Sequence, residues 1–516
     1  MFIKTAMILV FFAVTVTVGL TMRKRATNVY DFVLGGRAVG PWLTAFSYGA
    51  TYFSAVVFVG YAGQFGWRFG TAAVWIGLSN AFIGSLMPWF VLGRRTRIMT
   101  NHLKSATMPD FFGARYFSQN LKIGASLIMF IFLIPYTASM YNGMSRLFVT
   151  AFGIPFEYCI IGTGILTAVF VVAGGYFAQA VNDTIQAVVT LTGVIAVIAI
   201  VLRDNGGFTA AIDSLARIPD PTVAPGAYTS FFGPDPITLL GVVILTSLGT
   251  WGLPQMVARF YSIKSETMIA KGATVSTIFA LLVAGGCYFL GSFARLYSDR
   301  VEMNAAGTVV FDSIIPTIIS GFSDTMIGLV VVLVFAASIS TLSSLVIASA
   351  STLTLDFLKG NFVKDMDEKT QLKVLRSLIL VFITISSAIA IIQYRGGITF
   401  IAQLMGISWG ALAGSFLAPL LYGLYWKRTT KTSIWCCFGF STGLMILNIL
   451  FSRHFPLLLR SPINAGAFCM LAGMVIVPLV SLLTRAPDKA AIEDCFSCYD
   501  EIVRVKAREA LADSGK

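Results

Sequence analysis

Apolar residues run along this chain in long blocks, separated by short polar stretches. A helix needs about 20 mostly apolar residues to cross the hydrocarbon of a bilayer. On that measure the pattern predicts thirteen spans, numbered 0 to 12, at residues 3–21, 41–64, 72–93, 123–148, 155–178, 183–202, 236–259, 272–295, 325–352, 377–394, 398–425, 432–452 and 464–484. The connections are too short to hold a second soluble domain. The longest outer one, Arg203 to Asp235, is rich in proline and glycine (Pro219, Pro221, Pro225, Gly226, Gly233, Pro234) and reads as an ordered loop. The expected organisation is one membrane domain over residues 1–484 and a short cytoplasmic tail over 485–516.

Composition sharpens this reading. Hydrophobic residues make up 56% of the 516 and charged residues 12%, where a soluble protein carries about 25% charged. Mean hydropathy is +0.81. The chain reads as a multi-pass protein of the cell (plasma) membrane, with the lipid bilayer as its main surroundings. The net charge of +13 would suit nucleic acid in a soluble protein. Here the basic residues sit in short loops and read as topology signals instead. Most of the 37 Lys and Arg fall on one side, through Arg23-Lys24-Arg25, Arg94-Arg95-Thr96-Arg97, Lys427-Arg428 and the stretch Lys359 to Arg376. The positive-inside rule then puts the N-terminus outside and the C-terminus inside. Span 0 has its stronger basic cluster after it and no small-x-small cleavage site, so it reads as a retained span rather than a signal peptide.

Two histidines, His102 and His454, make no histidine-rich metal site, and seven scattered cysteines make no disulfide framework. Cys495 and Cys498 form a single C-x-x-C without the second pair that zinc needs, so they read as free thiols. No nucleophile–histidine pair lies at mid-membrane, which argues against an enzyme. No obligate protein partner is evident.

Three spans depart from plain hydrophobicity. Span 1 carries Gly49-Ala50-Thr51-Tyr52-Phe53-Ser54-Ala55, then Gly60 and Gly63. Small and polar residues there favour a broken helix whose freed carbonyls must find partners, although they also suit close helix packing. Span 6 carries Thr246-Ser247-Leu248-Gly249-Thr250-Trp251-Gly252-Leu253-Pro254-Gln255, a break or a kink. The two interruptions lie five spans apart, and paired interruptions point to an inverted-repeat transporter with a central site. The repeats would be spans 1–5 and 6–10, about residues 41–202 and 236–425, followed by two further spans over 432–484. Span 8 carries Ala337-Ser338-Ile339-Ser340-Thr341-Leu342-Ser343-Ser344. Residues 337, 340, 341 and 344 share one helix face. Such oxygens either bond neighbouring helices or, opposite a broken helix, ligate a small hard cation. Asp183 opens span 5, as a helix cap, an ion ligand or both. No histidine and no carboxylate pair sits at mid-depth for a proton relay, which favours a sodium-type ion over a proton.

In order along residues 5 to 430, the chain resembles the sodium:solute symporter family. The resemblance rests on Leu34-Gly35-Gly36-Arg37, Ala50-Thr51-Tyr52-Phe53-Ser54, Gly174-Gly175-Tyr176-Phe177-Ala178, Asn182-Asp183-Thr184-Ile185-Gln186, Gly252-Leu253-Pro254, Ala258-Arg259-Phe260, Ser340-Thr341-Leu342-Ser343 and Leu424-Tyr425-Trp426-Lys427-Arg428. It implies an all-α, leucine-transporter-like (LeuT-like) 5+5 inverted repeat with one extra span before it and two after. The activity implied is secondary active symport, with inward sodium (Na+) flow driving uptake of a small solute by alternating access. A proton-coupled carrier of the same fold is the nearest alternative, and a transporter-like sensor a more distant one. The implied main sodium ligands are the carbonyls of Ala50, Phe53 and Ala337 and the hydroxyls of Ser340 and Thr341. A second sodium would match Asp183, Ser340, Ser343 and Ser344. Proline-transporting members carry an acidic residue, then a tryptophan four positions on, where this chain has Tyr52 and Val56. They carry another tryptophan where it has Thr246. Those departures argue against proline. The runs Ala50-Thr51-Tyr52 and Gly252-Leu253-Pro254 look more like the pantothenate-type branch, which implies an organic acid, a vitamin-like carboxylate or an amino acid. The expected pocket residues are Thr51, Tyr52, Ser54, Tyr136, Asn142, Trp251 and Gln255.

Overall fold

The computed structural model describes residues 2–23, 28–35, 40–263, 266, 268–304, 307–359, 362–363, 365–395 and 401–500. Lys24, Arg25, Gly36, Arg37, the tail from 501 onward and the side chain of Tyr52 lie outside that description.

The described chain is helical. Ten helices are long and apolar enough to cross a membrane, or eleven when a bent pair is taken as one. Two of these helical runs far exceed one crossing of about 20 residues. They are Val56–His102, of 47 residues, and Phe156–Asp204, of 49. The second is interrupted at Gly175, whose φ of 60° and ψ of −158° are non-helical. Glycine adopts that conformation freely because it lacks a Cβ. The sequence pattern places the gap between spans 4 and 5 at residues 179–182, but the chain breaks four residues earlier and is helical again through Asp183. Asp183 is therefore a helix-interior residue and not a cap.

Both expected interruptions are present. Span 1 is a helix over Pro41–Tyr52, then extended backbone at Phe53 (φ −93°, ψ 134°), then helix again from Ala55. Span 6 is a helix over Pro236–Gly252 and a second over Pro254–Tyr261, bent by 42°. Leu253 between them is extended (φ −78°, ψ 122°), which suits the residue before a proline. Pro254 then opens the second half, where its missing N–H costs nothing.

Burial ranks the helices. The apolar window of span 8, within Asp324–Leu358, is 100% buried, whereas that of Phe2–Met22 is 17% buried. Span 8 is thus the central post and span 0 a peripheral one. Spans 1 and 7 cross closely at a glycine: a Cβ on Gly291 would lie 2.0 Å from the Ala62 carbonyl oxygen.

The long outer connection is ordered, as its composition suggests. Asp220 accepts from Thr222 and Tyr228 and pairs with Arg295 at 3.0 Å. These contacts hold its carboxyl well below the usual carboxylate range. The tail forms a helix over Lys489–Ser497, tied to the body by Lys427–Glu493 at 2.7 Å and by Tyr499 donating to the Arg95 carbonyl. Cys495 and Cys498 are buried and form no disulfide, Cys498 Sγ donating to the Cys495 carbonyl at 3.3 Å, and no cluster of His, Cys, Asp or Glu fit for a metal occurs among the described residues.

Candidate ion and solute site

The break in span 1 leaves backbone groups without helical partners, and such groups must be satisfied inside a membrane. Span 8 meets both kinds. The freed N–H of Ala55 donates to Ser338 Oγ at 3.0 Å. The carbonyl oxygens of Thr51 and Phe53 lie 3.1 and 3.2 Å from Thr341 Oγ1, which also lies 3.2 Å from the carbonyl of Ala337, one turn back on its own helix. A hydroxyl has one proton to give. It satisfies one of these three carbonyl oxygens at a time, so two of the three are without that proton at any moment, and with the hydroxyl itself four buried oxygens converge. Of the expected ligands, Phe53, Ala337 and Thr341 are brought together here. Thr51 supplies the other span 1 oxygen at Thr341, one residue beyond the expected Ala50. Ser340 is fully buried, with its hydroxyl beside the Asp183 carboxyl.

Towards the basic-loop side lies a second polar group of residues. Asp183 Oδ2 accepts from Ser47 and lies 3.6 Å from Arg259 Nη2, both partners of that ion pair being buried. The same Nη2 donates to Thr51 Oγ1 at 2.7 Å and to Ser344 Oγ at 2.6 Å. The guanidinium also stands 4.8 Å from the Tyr176 ring centre. Gln179 donates to Ser344 Oγ and to the Ser340 carbonyl. Ser343 takes no part, since its hydroxyl donates to the Ile339 carbonyl at 2.7 Å. Asp183 and Ser344 thus gather around Arg259, Ser340 stands beside the Asp183 carboxyl, and Ser343 turns back onto its own helix.

The expected pocket residues divide. Ser54 is buried at the break, and Thr51 points its hydroxyl at Arg259. Tyr136 is buried edge-on against Trp409, with ring centres 5.9 Å apart. Gln255 is buried with Oε1 unpaired. It lines a small, partly open cavity of about 40 Å³ together with Arg259, Ser344, Tyr176 and Gln179, running towards Thr107 and Met108. Two residues do not join the group. The Trp251 indole N–H is spent on the Ile83 carbonyl of span 2 at 2.8 Å. Asn142 faces its own helix and Gln393 of span 9. Sequence reasoning left out Ser338, Ser47, Gln179 and the role of Arg259. The signal for Arg259 was present: an arginine at the end of an apolar block, counted with the loop charges.

Comparison with known proteins agrees with this architecture. The chain is 28% identical over 516 residues to a sodium/proline symporter of Staphylococcus aureus, covering 97% of this chain and 96% of that one. The corresponding protein of strain JH9 is also 28% identical, over 517 residues. Among solved structures, a Na+-coupled sialic acid symporter in a substrate-bound outward-open state superposes with a TM-score of 0.71 at 18% identity, covering 95% of this chain and 99% of that one. A nucleobase-cation-symport-1 family transporter in a closed conformation gives 0.50 at 14% identity, covering 90% and 97%. A family profile matches residues 32–437, and by that match the chain belongs to the sodium:solute symporter family.

Proposed function

We propose that this protein is a sodium-coupled symporter that takes up a small carboxylate-bearing solute by alternating access. The observation that carries this reading is the four-oxygen cluster of Thr51, Phe53, Ala337 and Thr341. Its carbonyl oxygens outnumber the one proton that faces them, so it attracts a cation, and hard oxygen ligands suit sodium. Ala50 and Ser340 complete the proposed main site. Sodium there ties the broken half of span 1 to span 8 and favours the state in which the solute pocket is formed. Departure of the ion loosens that tie and favours release. Coupling is this difference in affinity between states. The membrane potential adds about 2.3 kcal/mol per charge per 100 mV. The cavity below Gln255 and Arg259 is the proposed way out, on the face that bears Arg94, Arg95 and Arg97.

The long helical runs Val56–His102 and Phe156–Asp204 are read as two crossings each, which with the bent span 6 makes thirteen passes. The N-terminus lies outside and the C-terminus inside, with the membrane domain over 1–484 and inverted repeats over 41–202 and 236–425. For the solute, the relatives' name supports an amino acid, while Tyr52, Val56 and Thr246 support an organic acid or a vitamin-like carboxylate over proline. Thr51, Tyr52, Ser54, Tyr136 and Gln255 are the proposed contacts. The proposed second sodium position is at Asp183, Ser340, Ser343 and Ser344.

The test is uptake into vesicles containing the purified protein, with a panel of labelled carboxylates and amino acids that includes proline. The expected result is accumulation of one class under an inward sodium gradient. Accumulation that follows a pH gradient and ignores sodium would overturn the reading in favour of proton coupling.

A further inference from the structure

Arg115 is a fully buried charge on the basic-loop side of the bundle. Its Nε donates to the Gly423 carbonyl at 2.8 Å and its Nη2 to the Trp426 carbonyl at 3.1 Å, at the C-terminal end of span 10. The Phe496 and Tyr116 ring centres lie 5.0 and 5.2 Å from its Cζ. Nη1 is buried and has no hydrogen-bond partner. Carbonyl dipoles and ring faces soften the burial of this charge, but a buried charge without an opposite one is costly.

Arg115 forms one wall of a partly open cavity of about 540 Å³ between the tail helix and the ends of spans 11 and 12. That volume falls within the about 300–1,000 Å³ of small-molecule sites. Lys431 and Arg485, both exposed, stand on its other walls. Among the described residues no carboxylate pairs with Arg115, Lys431 or Arg485. The one carboxylate in the lining, Asp488, accepts from the Ala491 N–H as the cap of the tail helix. Lys431 also opens the 21-residue helix of span 11, whose Thr430 cap accepts from the Ser433 N–H. The N–H groups of Lys431 and Thr432, in the first turn, have no carbonyl to bond within that helix, and a helix N-terminus favours an anion. Spans 11 and 12 are peripheral, their apolar windows only 33% and 39% buried. Basic side chains and a helix start, gathered where peripheral spans leave the bilayer, suit a phosphate.

We propose that this cavity binds a phosphate group against Arg115, Lys431, Arg485 and the start of span 11, carried by an anionic lipid of the adjoining leaflet or by a soluble phosphate compound. Bound there, the phosphate joins the tail helix to the ends of spans 10 and 11. The proposal does not depend on the sodium reading.

The experiment is calorimetric titration of the purified full-length chain in an uncharged detergent and potassium chloride, free of sodium. The probes are short-chain phosphatidylglycerol, short-chain phosphatidylcholine and inorganic phosphate. The wild type is expected to bind phosphatidylglycerol, inorganic phosphate or both, and not phosphatidylcholine, whose ammonium cancels the charge. Phosphatidylglycerol alone assigns a lipid headgroup, and inorganic phosphate alone a soluble compound. Both, in competition, assign one phosphate site open to either source. Lys431→Gln with Arg485→Gln changes two exposed side chains and is expected to weaken whichever probe binds by roughly thirtyfold. Lys369→Gln with Lys373→Gln removes as much charge from another exposed stretch of the same face and is expected to leave binding nearly unchanged. No binding of either anionic probe would overturn the proposal. Equal binding of phosphatidylcholine, or equal losses in the two double variants, would overturn it as well.

Discussion

Thr341 and Ser338 lie three residues apart on span 8 and do different work at the same break. Ser338 accepts the Ala55 N–H and nothing about it calls for an ion. Ser338→Ala should leave that amide buried and unpaired, at about 1–3 kcal/mol. The melting temperature should fall equally in sodium and in choline. A fall confined to one salt would contradict the role given to Ser338. At this scale the hydroxyl positions were legible, because a hydroxyl in an apolar block is conspicuous and the helical period assigns its face. The partner chosen by each hydroxyl was not legible. It depends on where the opposite backbone breaks, and Ser343, one of the expected ligands, bonds its own helix instead. Arg259 was hidden for a related reason. At the edge of an apolar block a charge reads as a loop residue, and only packing shows that it is buried.

At the scale of elements, the breaks were legible where glycine and proline cause them. Span 6 breaks just before Pro254, as the sequence suggests. The gap between spans 4 and 5 was misplaced because polar Asn182 and Asp183 imitate a loop, whereas Gly175 makes the turn. A Cβ at Gly175 would meet Phe32 at 3.0 Å on a backbone with φ of +60°. Gly175→Ala should therefore cost at least about 1 kcal/mol, seen as a lower melting temperature; an unchanged one would contradict the turn. Gly291→Ala should do more harm, since its Cβ would lie 2.0 Å from the Ala62 carbonyl oxygen and spans 1 and 7 would have to separate. The outer hairpin around Phe311–Ser320 carries a pH signal. Asp312 is buried, and burial pushes its carboxyl up to about 7 against the pull of Arg146 and the Ile401 amide. Arg300 and Glu302 line the same outer cleft. A raised carboxyl disfavours the charged form in the folded state, so stability should be lost as pH rises from the ordinary carboxyl range through about 7. Asp312→Asn should flatten that slope in a series of melts across pH. An unchanged slope in the variant would contradict the assignment.

At the scale of the whole molecule, the block pattern and the paired interruptions announced an all-helical membrane fold with two broken spans, because a membrane admits few ways to satisfy backbone polar groups; the leucine-transporter-like form was what the family resemblance implied. The solute was less legible, since its pocket draws side chains from several spans whose rotation no periodicity fixes. Trp251 and Asn142 show this: Trp251 bonds the Ile83 carbonyl of span 2, and Asn142 bonds its own helix and Gln393 of span 9. What makes the fold a machine, on this account, is one ion joining the broken span 1 to the buried span 8. That claim can be tested without knowing the solute. The melting temperature of the purified protein would be recorded in sodium chloride and in choline chloride at equal ionic strength, for the wild type and for Thr341→Ala. Bound sodium stabilises by about 2.7 kcal/mol at a hundredfold excess over its Kd. The account predicts a sodium-specific rise in the wild type that Thr341→Ala loses. The same melting temperature in both salts for the wild type, at concentrations well above millimolar, would contradict it.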